Sequence, residues 1–254
     1  DVELEIAFKE VSGAKGVSAV SSDLTAKEGT VTFGPLDMAY GGGRFGLSAS
    51  MDMIDAPETL SLSGSTSGWD FGEILDELGV GIDAYGPLSG EFNVTGNISS
   101  ASTFINSMRG NAYISMSKGA IATSLLELAG LGIFPWLFSD ELRQGYTDIT
   151  CVVAPVRLDA GQASFDSVVV ETSSVQLVAS GLVDWVNDRI AVRAEPRRVG
   201  KPLARSAWPF DVTGQLSEPK FKLDVGGSRS RRADGADEMP ANRRPCVPDI
   251  LQLQ

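Results

Sequence analysis

The chain of 254 residues contains no histidine, and that absence removes imidazole relays, His-dependent triads and His-ligated zinc sites together. Its two cysteines are too few for an all-cysteine zinc site. Basic residues are also scarce, 21 against 33 acidic, for a net charge of −12. Nucleic acid is therefore not expected as a partner, because phosphate binding needs clustered cations. No uninterrupted apolar run reaches the roughly 20 residues a spanning helix requires. The most apolar window, Ala120 to Phe138, is broken by Glu127, Gly130, Gly132 and Pro135, and Asp140 and Glu141 follow it. It reads as a buried or interfacial helix, with Leu125, Leu126, Phe134 and Trp136 as the residues of a cap or an interfacial segment.

What is present is ordinary for a folded protein: 43% hydrophobic residues, 21% charged, and 28 glycines. Charge is uneven, with 7 basic against 20 acidic residues in 1–150 and 14 against 13 in 151–254. The chain opens at Asp1, without methionine or a leader pattern, and reads as a processed form or an excised fragment.

Cys151 lies in an apolar run and Cys246 in a polar, proline-flanked tail. A thiol in such a tail has no packing role, so the pair reads as a disulfide and the compartment as oxidising. The alternative is two unrelated reduced cysteines.

Period-two alternation dominates from the first residues, where Val2, Leu4, Ile6 and Phe8 interleave with Glu3, Glu5, Ala7 and Lys9. The same pattern recurs at Phe45–Met53, at Phe92 and Val94, at Ile149–Leu158, at Phe165–Val170 and at Val175–Val183, and continues to Phe221–Val225. Turn signals fall at Gly13–Gly16, Gly41–Gly43, Gly64–Gly68, Asp159–Gly161 and Asn187-Asp188. Helical spacing is confined to three stretches: Ser67-Gly68-Trp69-Asp70 leading into Phe71–Leu78, then Ala101–Met108, and Ala120 onward. The expected fold is mainly β: an elongated antiparallel sheet with one apolar face and a few short helices covering or capping it. Residues 1–225 form the sheet domain, 226–245 a weakly ordered linker, and 246–254 a tail tethered through Cys246.

Short motifs recur in a fixed order through residues 15–225: Gly29-Thr30-Val31-Thr32-Phe33, Tyr40-Gly41-Gly42-Gly43-Arg44-Phe45-Gly46, Gly86-Pro87-Leu88-Ser89-Gly90, Val94-Thr95-Gly96, Met108-Arg109-Gly110, Gly181-Leu182-Val183-Asp184-Trp185 and Gly214-Gln215-Leu216-Ser217-Glu218-Pro219. In this order they resemble the C-terminal region of the AsmA family, bacterial envelope proteins related to TamB. The resemblance implies a curved sheet with an apolar concave face in the periplasm of a Gram-negative bacterium. The inner-membrane anchor would lie outside this chain, and the partners would be phospholipids on the way to the outer membrane. The alternative is a scaffold for outer-membrane protein assembly that holds envelope partners by edge-strand pairing. From the residues alone, an open sheet must cover its apolar face with helices, another sheet or an apolar ligand, and a closed barrel or a sandwich has the same periodicity.

Phe45, Leu47, Phe92 and Val94 are the candidate groove residues, with ordinary core packing as the competing reading. Arg193, Arg197, Arg198, Lys201 and Arg205 form a cationic run that reads first as a solvated loop and second as a headgroup contact. Asp70, Glu73, Asp76, Glu77 and Asp83 invite comparison with a glycosidase pair, but Asp70, Glu73 and Glu77 share the solvated face of one helix. Asn93-Val94-Thr95 and Asn97-Ile98-Ser99 match the glycosylation pattern and read as strand-surface residues. No catalytic residue, metal site or cofactor is expected.

Overall fold

The computed structural model describes residues 2–10, 18–40, 43–73, 84–122, 146–172, 175–198, 208–225 and 246. Among them, fifteen strands form one antiparallel sheet. The first half comprises β1 Val2–Glu10, β2 Ser18–Lys27, β3 Thr30–Tyr40, β4 Gly43–Asp52, β5 Thr59–Asp70, β6 Ala84–Tyr85, β7 Pro87–Asn97, β8 Arg109–Met116 and β9 Gly119–Ala122. The second comprises β10 Tyr146–Asp159, β11 Gln162–Thr172, β12 Val175–Asp184, β13 Arg189–Arg198, β14 Phe210–Gly214 and β15 Pro219–Leu223. The helix α1 spans Ala101–Ser107.

Thirteen strands follow one another in a meander, interrupted only where β5 pairs with β7 and β8 with β10; β9 pairs with both β10 and β6. The sheet is open: among the described residues, β1 pairs only with β2 and β15 only with β14.

Two-residue turns set the register at β2–β3 and β10–β11. Lys27 faces Thr30 across Glu28-Gly29, and Asp159 faces Gln162 across Ala160-Gly161. All four turn residues have positive φ, as a primed turn matching the strand twist requires. At Gly29 the positive φ of 83 is what favours glycine, since the nearest atoms to an added Cβ belong to the exposed, movable Ile54 side chain. Asn187-Asp188 forms the expected turn as well, with Asp188 at φ 49.

Two expectations about local structure need correction. Gly64 to Gly68 is not a turn but part of β5, because Phe92 lays its ring over Gly64, where a Cβ would meet Cζ at 2.6 Å. Ser67 to Asp70 ends the same strand and leads into helix at 71–73, where a helix was expected; the rest of that stretch, 74–78, lies outside the described residues. Ala120 to Ala122 is strand β9, drawn into the sheet by its pairing with Tyr146–Asp148 of β10. Helix α1 forms where expected, capped by Ser100, whose side chain accepts a hydrogen bond from the Thr103 N–H at 3.0 Å. The expected linker at 226–245 lies outside the described residues.

Cys151 and Cys246 are joined in a disulfide across 95 residues, with their Cα atoms 6.0 Å apart. Cys246 rests on Cys151 and Val169, with Val153 and Val178 packed alongside. The Cys246 N–H donates to the Glu171 Oε2 at 3.1 Å, and Gln176 Nε2 donates to the same oxygen at 2.7 Å. Glu171 is 2% exposed and Gln176 0%, so the bridge seals a polar pair together with an apolar patch.

Thiol titration of denatured, unreduced protein is expected to find no free thiol. Cys246→Ser should lower the unfolding free energy by about 2–5 kcal/mol in a denaturant titration. Two titratable thiols would contradict the bridge.

Candidate functional site

Directly opposed residues of an antiparallel pair point to the same side, so the register shows what each face presents. One row runs Leu4, Leu24, Phe33, Ala49, Leu62, Val94, Gly110, Leu158, Ala163, Val183, Ile190, Gly214 and Pro219. It takes one residue from each strand of the meander and contains no polar side chain. A parallel row runs Leu36, Leu47, Gly64, Phe92, Ala112 and Val156, and a third joins Met38, Phe45, Thr66, Gly90, Ile114 and Ala154.

The four candidate groove residues thus share one face. Phe45 stacks on Trp69 with ring centroids 5.5 Å apart and planes 16° apart. Leu47 and Phe92 belong to the second row, separated by Gly64. Val94 is 3% exposed, at the end of β7 where Phe104 of α1 lies over Gly96. Most of the face is half-buried, and Leu4 and Ile114 are exposed. Leu125, Leu126, Phe134 and Trp136, the expected cap, lie outside the described residues.

The reverse side carries a trough of about 820 Å³ crossing seven adjacent strands, from β3 to β11. On β4, β5, β7, β8 and β10 it takes in three consecutive residues, and the outer two belong to the polar side. On β3 it is lined by Pro35 and Asp37, on either side of Leu36. One rail is Ser48, Ser63, Asn93, Asn111, Arg157 and Ser164; the other is Asp37, Gly46, Ser65, Glu91, Tyr113 and Pro155. The backbone of the Leu47–Val156 row is its floor. Register shifts between Phe33 and Leu36, Thr66 and Trp69, Val153 and Arg157, and Phe165 and Val168 bend the strands near it.

Alternation alone assigned Ser48 and Asn93 to a wet face and gave no sign of a concavity there. The patch under Cys246 did leave a signal. Cys151-Val152-Val153-Ala154 and Val168-Val169-Val170 are unbroken apolar runs, which mark strands covered on both faces.

The cationic run is strand rather than loop as far as Arg198. Arg193 sits among Asp224 at 2.8 Å, Asp211 at 3.1 Å and Glu195 at 3.8 Å. The hydrogen bond to Asp224, and after it those to Asp211, hold its guanidinium charged beyond the usual arginine range. The side chains of Arg197 and Arg198 are not among those described, and Lys201 and Arg205 lie outside the described residues.

Among the carboxylates, Asp70 accepts the N–H groups of Gly72 at 2.9 Å and Glu73 at 3.2 Å, a capping role. Asp76, Glu77 and Asp83 lie outside the described residues. Asn97 donates to Glu58 at 3.1 Å and accepts the Ser99 N–H at 2.9 Å, organising the exit from β7. Among the described residues, no group of three metal-ligating side chains converges and no helix is long and apolar enough to cross a membrane.

Fold and faces together define a class: among the described residues, an open β-meander with one face apolar on every strand and a reverse face that is polar along the trough and apolar around Cys151. In sequence the chain is similar to the AsmA family protein YhjG of Escherichia coli (strain K12), 17% identical over 220 residues. The match covers 87% of this chain and supports a relationship to the AsmA family. It covers 32% of the relative, so the chain spans about a third of that protein's length. No family model and no solved structure matches the chain.

Two carboxylates at strand ends accept hydrogen bonds that favour their charged form. Asp184 is held below the usual carboxylate range first by the Asn187 side chain at 2.8 Å, then by the Asn187 N–H at 2.9 Å, with Gln162 adding a further bond. Asp52 is lowered by the N–H groups of Asp55 and Ile54. A depressed native pKa stabilises above the unfolded value, near pH 4, and this stabilisation fades as pH falls through the native value. Asp184→Asn should lower the melting temperature at pH 7 and flatten its decline below pH 4. An unchanged melting profile would show that these bonds do not hold the strand ends.

Proposed function

We propose that this chain is a non-enzymatic, lipid-carrying segment of an AsmA-related envelope protein. In this reading it works in the periplasm, tied to the inner membrane by a part of the protein outside this chain, and passes phospholipids toward the outer membrane. The observation that carries the reading is the row from Leu4 to Pro219, apolar on every strand of the meander. Water against such a face is unfavourable by about 25 cal/mol per Å², and an acyl chain relieves that cost without directional bonds. Because aliphatic contacts are interchangeable, a chain lying across the strands moves from one row position to the next without losing a specific partner. Headgroups remain in water at the margins. The relationship to the AsmA family supports the assignment to the envelope.

A second reading, a scaffold for outer-membrane protein assembly, draws on the sheet edges. Among the described residues, β1 and β15 each pair on one side only, leaving backbone groups available to an added strand.

Native mass spectrometry of protein purified from bacterial envelopes separates the two. Bound phospholipid is expected, and Leu47→Asp should strip it. The substitution should cost the fold about 1.5–3 kcal/mol, the value of one leucine side chain. A lipid-free chain that captures a partner strand would favour the scaffold.

A further inference from the structure

We propose that the polar trough binds a linear, uncharged glycan laid across the strands, a second ligand on the side opposite the apolar face. The trough is built of hydroxyl and amide groups in register: Ser48, Ser63, Asn93 and Asn111 stand directly opposite one another on four successive strands. Ser63, Asn93 and Asn111 are exposed to solvent, and Ser48 is half-exposed. Neighbouring strands lie about 4.8 Å apart, so the rail repeats a donor–acceptor group on nearly the length of one pyranose ring. A polysaccharide running perpendicular to the strands meets one such group per sugar.

Tyr113 rises from the opposite rail, 39% exposed, and offers the apolar ring and polar tip that a sugar face and its hydroxyl both use. The volume of about 820 Å³ is in the range of small-ligand sites.

Charge and backbone exclude the other polymers. Asp37, Glu91 and Asp166 outnumber Arg157 along the trough, so phosphate-bearing chains, nucleic acid and lipid headgroups among them, are repelled. A peptide recognised by a sheet uses the free backbone of an edge. The backbone on the trough floor is already committed to ladders on both sides.

The test is calorimetric titration of the intact chain with β-1,4-linked hexamers, one of N-acetylglucosamine and one of glucose. Binding of either supports the proposal, and the difference between them reports whether the asparagines use the acetamido group. Tyr113→Ala should weaken binding about tenfold, the value of one stacking contact. Asn93→Ala with Asn111→Ala should weaken it at least as much, while Leu4→Asp, at an exposed position of the other face outside the trough, leaves it in place. These trough side chains are exposed, and an unchanged melting temperature verifies the fold of each variant. Absence of binding at millimolar hexamer, or binding indifferent to Tyr113 and the two asparagines, overturns the proposal.

Discussion

An antiparallel pair places opposed side chains on the same side, and a slip of one residue sends a whole strand to the wrong face. Among the described residues the sheet forms a single layer, so the register is what sorts polar from apolar. The register therefore has to be pinned at many points. Glu28-Gly29 and Ala160-Gly161 pin it with turns that only positive φ can close. Asp52 and Asp184 pin strand ends by accepting the N–H groups of the turns that follow. Among the described strands the register shifts at seven places without carrying polar residues onto the row from Leu4 to Pro219. The apolar face is the cumulative product of these local agreements.

The C-terminal bridge is the local exception that follows from the same rule. Around Cys151 the strands carry apolar residues on both sides, and the second side would meet water. Cys246 covers it, bringing Val153, Val169 and Val178 into one cluster and placing its own N–H on Glu171. A buried carboxylate with too few donors is costly, whereas two donors to one oxygen offset much of that cost. The covalent bond also shortens the unfolded chain's freedom over 95 residues. Apolar packing, a satisfied carboxylate and a loop constraint thus act at one point, on strands central to the second half of the meander.

Much of this was legible in the sequence, and the limits have a common cause. Alternation identified the strands because a half-buried strand writes its two faces into every second residue. The turns at Asp159–Gly161 and Asn187-Asp188 were legible because positive φ restricts residue choice. Gly64 was misread because its role depends on Phe92, 28 positions away, whose ring occupies the space a side chain would fill. Ala120 to Ala122 was misread because strand β9 exists through its partners in β10 and β6, and nonlocal pairing overrides local spacing. The trough was invisible for the same reason: Ser63 and Asn93 become neighbours only through the register of β5 and β7.

The two faces are not independent. A twisted sheet is saddle-shaped, concave along one diagonal on one side and along the other diagonal on the reverse. Only one thickness of backbone, the Leu47–Val156 row, separates the apolar side chains from the floor of the trough. Side chains from that row point one way, and those of the rails beside it point the other. Curvature that draws the apolar side chains together must therefore alter the spacing of the rails, and the register shifts are where such bending is cheapest. Bending at one face is thus felt on the other through strand curvature, with no chain of contacting side chains between them.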